Sequence, residues 1–171
     1  MNILQLLQLG VLWGTVFGVV FSAAILIIGR INAKMILNDY PPDIRAKVGP
    51  MNKRTRKQAS LASIPLLATL GLVVAIGLSQ LRSQSGELTW LNTFIVSTII
   101  FQMWNLLDLV LLDWFLLMTL KPSFMILPGT EGMKGYRDYA FHFRKFLNGI
   151  VFTLILSGIV TVIAMGVEAL I

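Results

Sequence analysis

The sequence has no cysteine and a single histidine, His142, among its 171 residues. The absence of cysteine excludes disulfide bonds, thiolate nucleophiles, iron–sulfur clusters and cysteine-based zinc sites, because each of these needs the sulfur atom. One histidine gives little material for a metal centre built on imidazole ligands. The sequence therefore predicts no cofactor.

Charged residues are also scarce, since they make up 13% of the chain against 56% for hydrophobic residues. The mean hydropathy is +0.80, which excludes an ordinary soluble domain and is typical of an integral membrane protein. The apolar N-terminal stretch has no basic residues before it and no small-residue cleavage site after it. We therefore expect a retained first helix and not a signal peptide.

Four apolar runs are each long enough to cross a bilayer, which takes about 20 helical residues. They cover about residues 3–29, 59–80, 91–120 and 146–170. The fold class predicted for residues 1–171 is all-α: one polytopic membrane domain, a bundle of four transmembrane helices with a short cytoplasmic interfacial helix.

Basic residues are concentrated in two of the three loops between these runs. Of the 14 Lys and Arg residues, eight lie in residues 30–58 and five in residues 121–145, which leaves Arg82 alone between the second and third runs. The positive-inside rule places both basic loops in the cytoplasm and both termini on the opposite side of the membrane. Because the charges follow this topology and no recognition motif accompanies them, nucleic acid is not an expected partner.

Small residues recur at every fourth position in three of the runs, which lets neighbouring helices approach closely. These ladders are Gly10, Gly14, Gly18 and Ser22; Gly71, Ala75 and Ser79; and Gly149, Thr153, Ser157 and Thr161. The third run has no glycine and is bulky. We therefore expect it to be the helix around which the other three pack.

The first basic loop carries signals of ordered structure. Pro42 favours the start of a short helix and Gly49, followed by proline, favours its end. Asn52 is the predicted N-cap of the second span. The first turns of that span hold the residues expected to contact anionic lipid headgroups, namely Lys53, Arg54, Arg56 and Lys57. Docking of an acidic partner or a phosphorylated substrate is the alternative use of this patch.

The third run carries Asn105, Asp108 and Asp113 inside an otherwise apolar stretch. At 100° per residue they fall within a sector of about 140°, so one side of an α-helix would be polar. With Trp90 at the outer interface, the two aspartates lie ~27 Å and ~35 Å further along, near the cytoplasmic boundary of the hydrocarbon core. Ionisable groups in a spanning helix are costly, which makes these residues candidates for function.

The second basic loop supplies further candidates near the same boundary. Glu131 lies among glycines, and residues 136–146 have the pattern of a helix that is interfacial or extends the fourth span. Two interpretations stay open: a network of ion pairs that fixes the helices, in which Lys145 is a further cation, or the floor of a cavity open to the cytoplasm. The candidate polar site comprises Asn105, Asp108, Asp113, Glu131, Arg137, Asp138, His142 and Arg144.

Asp138 and His142 are four residues apart, a spacing that allows both to reach one metal ion from a single helix face. An ion pair or an interfacial histidine is the simpler interpretation of the same spacing. We therefore expect no metal.

The second half of the chain carries three motifs: Asn105-x-x-Asp108-x-x-x-x-Asp113-Trp114, Pro128-Gly129-Thr130-Glu131-Gly132 and Tyr139-x-Phe141-His142-Phe143. Together they resemble the pattern in a group of uncharacterised bacterial four-span integral membrane proteins, over spans three and four with their loop. The resemblance implies a four-span fold in a bacterial cytoplasmic membrane. It implies no activity and no catalytic residue.

Three functions are compatible with these features. The first is binding or movement of a polar or anionic small molecule or lipid headgroup, by a homo-oligomer because four helices alone make a thin pathway. The second is a membrane-embedded enzyme on a lipid-linked substrate, with Asp108 or Asp113 as base or metal ligand, His142 as acid–base and Arg137 or Arg144 as anion clamp. The third is a structural or assembly subunit of a larger membrane complex.

Overall fold

The computed structural model describes residues 1–170, and within them every regular element is a helix or a helical turn. Four helices are long and apolar enough to cross a membrane, which confirms the all-α class with four spans. The elements in chain order are α1 (Ile3–Asn32), a first 3₁₀ segment (Ala33–Asp39), α2 (Pro42–Val48), α3 (Lys53–Ser85), α4 (Trp90–Leu107), a π-helix that continues α4 (Asp108–Leu120), two 3₁₀ turns (Ser123–Met125 and Lys134–Arg137) and α5 (Tyr139–Glu168).

Successive long helices run in opposite directions, so the bundle has two distinct ends. Both termini lie at one end, which we call the terminal end, and residues 33–52 and 121–138 lie at the other, which we call the loop end. At the terminal end Arg82 Nε lies 2.8 Å from Glu168 Oε2 and joins the ends of α3 and α5.

Side-chain caps begin the helices where the sequence predicts them. The Asn52 side chain accepts a hydrogen bond from Thr55 N at 2.8 Å and caps α3. The short helix α2 begins at Pro42 and ends before Gly49, whose φ of 74° stops the helix. Residues 136–137 end the second 3₁₀ turn and residues 139–146 form the first turns of α5, so most of this segment extends the fourth span.

The glycine ladder of α1 packs against α4, as predicted. Gly10 faces Ile99 and Gly14 faces Met103, and a Cβ atom on Gly14 would lie 2.6 Å from Met103 Cβ. Contact this close requires glycine, because any larger side chain would push the two helices apart. Helix α4 contacts α1, α3 and α5, which confirms it as the central helix.

The ladder predicted for α3 does not pack, and that prediction is wrong. Gly71, Ala75 and Ser79 are exposed on the outer face of the helix. The inner face instead buries larger side chains, Val73, Val74, Leu78 and Leu81, around Gly77. Burying these larger apolar groups against α1 and α4 gains more contact area than burying the small residues would.

The two loops fold over the loop end and form a hydrophobic cluster there. Tyr40 donates a hydrogen bond from its hydroxyl to Met125 O at 2.7 Å. Burial, followed by the proximity of Tyr136 and Asp39, raises the pKa of the Tyr40 phenol above its ordinary value, so the hydroxyl keeps its proton and remains a donor. The buried members of the cluster are Ala33, Ile36, Leu37, Tyr40, Ile44, Met125, Leu127 and Tyr136.

Candidate functional site

The winding of the third span changes at Asp108, where α4 continues as a π-helix. Backbone hydrogen bonds in a π-helix join residues five apart, and Lys121 N bonds to Leu116 O at 2.8 Å in this pattern. Residues five apart therefore lie on nearly the same side, whereas an α-helix would turn them by about 140°. The π-winding thus brings Asp108 and Asp113 to one side of the span.

Both aspartates line a cavity of ≈ 270 Å³ in the loop-end half of the bundle. Its walls come from α1, the first 3₁₀ segment, the third span with its π-helix, and α5. Most of the wall is apolar or aromatic. The polar side chains that line it are Asp39, Asn105, Asp108, Asp113, Lys145 and Thr153.

Asp113 forms a buried pair with the single histidine. Asp113 Oδ2 lies 2.8 Å from His142 Nδ1, and the two side chains are 8% and 3% exposed. The two atoms have the separation of an ion pair but not the alignment of a hydrogen bond. This contact holds the π-helix to the start of α5, since each residue belongs to one of the two elements.

Asp39 and Lys145 form a second pair at the polar edge of the cavity. Lys145 Nζ donates to Asp39 Oδ1 at 2.8 Å, and the side chains are 35% and 53% exposed, lysine first. The pair links the first 3₁₀ segment to α5. The pair is in contact with solvent, whereas the Asp113–His142 pair is buried.

Asp108 differs from the other two acids of the cavity in its surroundings. Among residues 1–170 its carboxyl group has no hydrogen bond and no ion pair, although it lines the cavity within a spanning helix. An unpaired carboxyl in such a place is costly, and a ligand that supplies the missing partner would remove that cost.

Aromatic rings surround the same space. Phe21 and Trp104 face it from α1 and α4, and their rings meet edge to face with centroids 5.2 Å apart. Phe146 and Phe152 add two rings from α5. The faces of such rings attract cations, and Trp does so most strongly.

The two amides of the third span hold α5 against it. Asn105 donates from Nδ2 to Phe146 O at 3.1 Å, and Gln102 donates from Nε2 to Thr153 Oγ1 at 2.9 Å. Gly149 leaves room for the Asn105 side chain, because a Cβ there would collide with the amide oxygen. Asn105 therefore lines the cavity while its amide group serves the helix contact.

The remaining predicted site residues lie outside the cavity lining. Glu131, Arg137 and Arg144 are exposed at the loop end. Asp138 caps α5, since its Oδ1 accepts a hydrogen bond from Phe141 N at 2.9 Å. The structure thus brings Asn105, Asp108 and Asp113 into the cavity, with His142 behind them, and leaves the other four at the surface around it.

The spacing of Asp138 and His142 does not produce a shared metal site, because the first caps a helix and the second pairs with Asp113. Within residues 1–170 no group of three or more His, Asp or Glu side chains is placed to hold a metal ion.

The loop beneath the cavity is fixed by a network of buried hydroxyls. Tyr136 accepts a hydrogen bond from Leu127 N at 2.8 Å and contacts Thr130 Oγ1 at 2.7 Å. Gly135 N donates to Asp43 Oδ2 at 3.0 Å, which ties the second loop to α2. Met125 from this loop closes one side of the cavity. The loop that carries Met125 is therefore fixed by its own hydrogen bonds and by its contact with α2.

The sequence patterns do not single out Asp39 or the aromatic wall. Asp39 precedes Tyr40 and two prolines, a context typical of a turn, and no periodicity links it to the third span. The one available signal is the apolar pattern of the first span, which continues past Arg30 and would carry the chain beneath the bundle.

Comparison of the chain with protein-family models, with curated proteins and with solved structures finds no match.

Proposed function

We propose that the protein binds a small organic cation, a protonated amine or a quaternary ammonium, in the cavity beside Asp108. The proposal places the protein in a bacterial cytoplasmic membrane with the loop end in the cytoplasm, so that the ligand enters past the Asp39–Lys145 pair. The observation that carries it is the unpaired carboxyl of Asp108 within a wall of aromatic rings.

The charges of the cavity favour a cation over an anion. Three carboxyl groups line it, those of Asp39, Asp108 and Asp113, against the one ammonium group of Lys145. Asp39 and Asp113 already have partners, so Asp108 is the carboxyl group left for a cationic ligand. Arg137 and Arg144, the residues expected to hold an anion, do not line the cavity.

The size and wall of the cavity agree with the same class of ligand. A volume of ≈ 270 Å³ is near the lower limit for small-molecule sites, which run from about 300 to 1,000 Å³. A carboxylate combined with aromatic faces is the usual protein environment for a quaternary ammonium group. A compact ammonium ion fits both the volume and the chemistry.

An enzymatic function draws less support from this geometry. His142, the expected acid–base group, is 3% exposed, is paired with Asp113 and does not line the cavity. A general acid or base must reach the proton that it transfers within about 3 Å or through one water molecule. We infer that His142 holds the Asp113 side chain in place and does not contact a substrate.

Equilibrium binding of choline to the purified protein in lipid nanodiscs tests the proposal. We expect Asp108→Asn to weaken choline binding at least ~tenfold, a loss of about 1.4 kcal/mol of binding free energy. Glu131→Gln is the matched control, because it removes an exposed carboxylate at the same end of the bundle, and it should leave binding unchanged. Equal binding of choline and of its uncharged carbon isostere would refute a cation site.

A flux measurement then separates binding from movement. Vesicles that contain the protein should take up choline faster than empty vesicles, and Asp108→Asn should remove the difference. Choline binding without uptake would leave the protein as a binding or assembly component of a larger membrane complex.

The absence of native cysteine allows a direct test of the orientation. Single cysteines introduced as Glu131→Cys and Ser85→Cys lie at the loop end and the terminal end of the bundle. In intact cells a membrane-impermeant maleimide should label the second and not the first. The opposite pattern would place the cavity entrance outside the cytoplasm.

A further inference from the structure

The middle of α3 is covered less than its two ends. Its inward face is buried at Thr55 near the start and again from Val73 onward, but no residue of 56–72 is buried. The residues of that face in between, among them Ala62 and Leu66, are only half-buried. The helix is therefore well covered at both ends and only partly covered over the roughly five turns between them, a stretch that we call the apolar gap.

A basic pocket lies where α3 begins, at the loop end of this gap. It is formed by the first 3₁₀ segment, α2, the turn at Gly49 and the first turns of α3. Two arginines line it from different elements, Arg45 from α2 and Arg56 from α3. The other lining residues are Leu37, Asn38, Ala46, Gly49, Pro50 and Met51, so that no acidic side chain faces the two arginines.

The two guanidinium groups are available for a ligand. Among residues 1–170 neither Arg45 nor Arg56 takes part in an ion pair. Two guanidinium groups that line one pocket from different helices suit a phosphate diester, because each can donate two parallel hydrogen bonds to its oxygens. The apolar side chains that share the lining match the glycerol backbone and the upper acyl carbons of a lipid.

We propose that this pocket binds the phosphate of an anionic phospholipid between Arg45 and Arg56, with one acyl chain lying in the apolar gap along α3. The lipid fills the space that the bundle leaves open and joins the middle of α3 to the other helices. This site is separate from the cavity at Asp108 and does not depend on the function proposed for that cavity. It is also more specific than attraction of the surface lysines to the membrane.

A charge-matched pair of double variants tests the site. Arg45→Gln with Arg56→Gln removes the two pocket cations, whereas Arg54→Gln with Lys57→Gln removes two cations of the same region that do not line the pocket. Bound phosphatidylglycerol is counted by native mass spectrometry of the full chain. Each pocket arginine should contribute about fivefold, so the first variant should lose about 25-fold in affinity and the second less than about twofold. Equal losses would overturn the proposal in favour of general surface attraction.

Two further measurements make the result specific to a lipid. Ala62→Trp fills the apolar gap without changing charge and should weaken phosphatidylglycerol binding, whereas Ile64→Trp, on the exposed face, should not. Inorganic phosphate at millimolar concentration should not displace the lipid; displacement would mean that the pocket binds free phosphate. Arg56→Lys keeps the charge and the fold but loses the paired hydrogen bonds, and unchanged binding by that variant would also count against the site.

Discussion

Asp108 and Asp113 lie five residues apart on one π-helix and line one cavity, yet their surroundings differ. Asp113 is 8% exposed and lies 2.8 Å from His142, whereas Asp108 faces the cavity and has no partner among the described residues. A paired and buried carboxyl fixes the helices, and an unpaired one is left for a ligand. The two interpretations of the acids, ion-pair network and cavity, therefore each describe one aspartate.

Removal of the partner of Asp113 should have the largest effect and should separate the roles of the two aspartates. His142→Leu leaves the buried Asp113 carboxyl without its partner, and breaking a buried pair in this manner costs about 3 kcal/mol of unfolding free energy or more. Asp108→Asn breaks no pair and removes a costly unpaired carboxyl, so it should leave the unfolding free energy unchanged or raise it. Denaturant-induced unfolding in detergent micelles measures both.

The double variant Asp113→Asn with His142→Gln is the control for that experiment. It removes the charge together with its partner, so part of the stability should return. If His142→Leu and Asp108→Asn had equal effects on stability, the assignment of separate roles to the two aspartates would fail.

A change from π-helical to α-helical hydrogen bonding should separate the two aspartates that the π-helix brings together. Deleting Val110 shortens the segment between them by one residue and allows α-helical hydrogen bonds, which would turn the residues after the deletion by about 100°. Choline affinity should fall about tenfold even though Asp108 is kept, because the wall opposite it is rearranged. Val110→Ala keeps the length and should bind normally; normal binding by the deletion variant as well would show that the π-winding is not needed.

The sequence predicts the fold well because the dominant forces act locally along the chain. Runs of apolar residues set the four spans, and caps such as Asn52 and turns such as Gly49 set where helices begin and end. The ladder in α1 was predictable because glycine at every fourth position leaves one slim face. The same pattern gave a wrong prediction for α3, because a helix face made of small residues does not show whether a neighbouring helix lies against it.

The candidate site was only partly predictable. Asn105, Asp108 and Asp113 stand out because acids and amides are rare in apolar runs. Their final arrangement depends on the π-helix, whose hydrogen bonds leave no pattern in the composition, and on Asp39, which reaches the cavity only through the path of the first loop. The pairing of Asp113 with His142 and not with an arginine follows from tertiary packing.

Removal of the aromatic surface beside Asp108 should have a smaller effect on choline binding than the deletion of Val110. Trp104→Ala should weaken choline binding about fivefold, since a ring face contributes about 1 kcal/mol to a bound cation. Trp104→Phe keeps a weaker ring face and should lose less. Trp90→Phe, at the terminal end, is the control and should have no effect. If both Trp104 variants bound choline like the unmodified protein, Asp108 alone would hold the cation.

The last and smallest effect concerns the charge at the entrance. Lys145→Gln removes the one ammonium group that lines the cavity and releases Asp39, so the local charge becomes more negative. Choline affinity should then rise, by about threefold at low salt, and the gain should shrink as salt screens the interaction. Stability should fall by less than about 1 kcal/mol, because the Asp39–Lys145 pair is half-exposed. Titrations of choline at two ionic strengths measure this, and a loss of affinity would show that Lys145 helps to shape the site and that Asp108 does not act alone as the counter-ion.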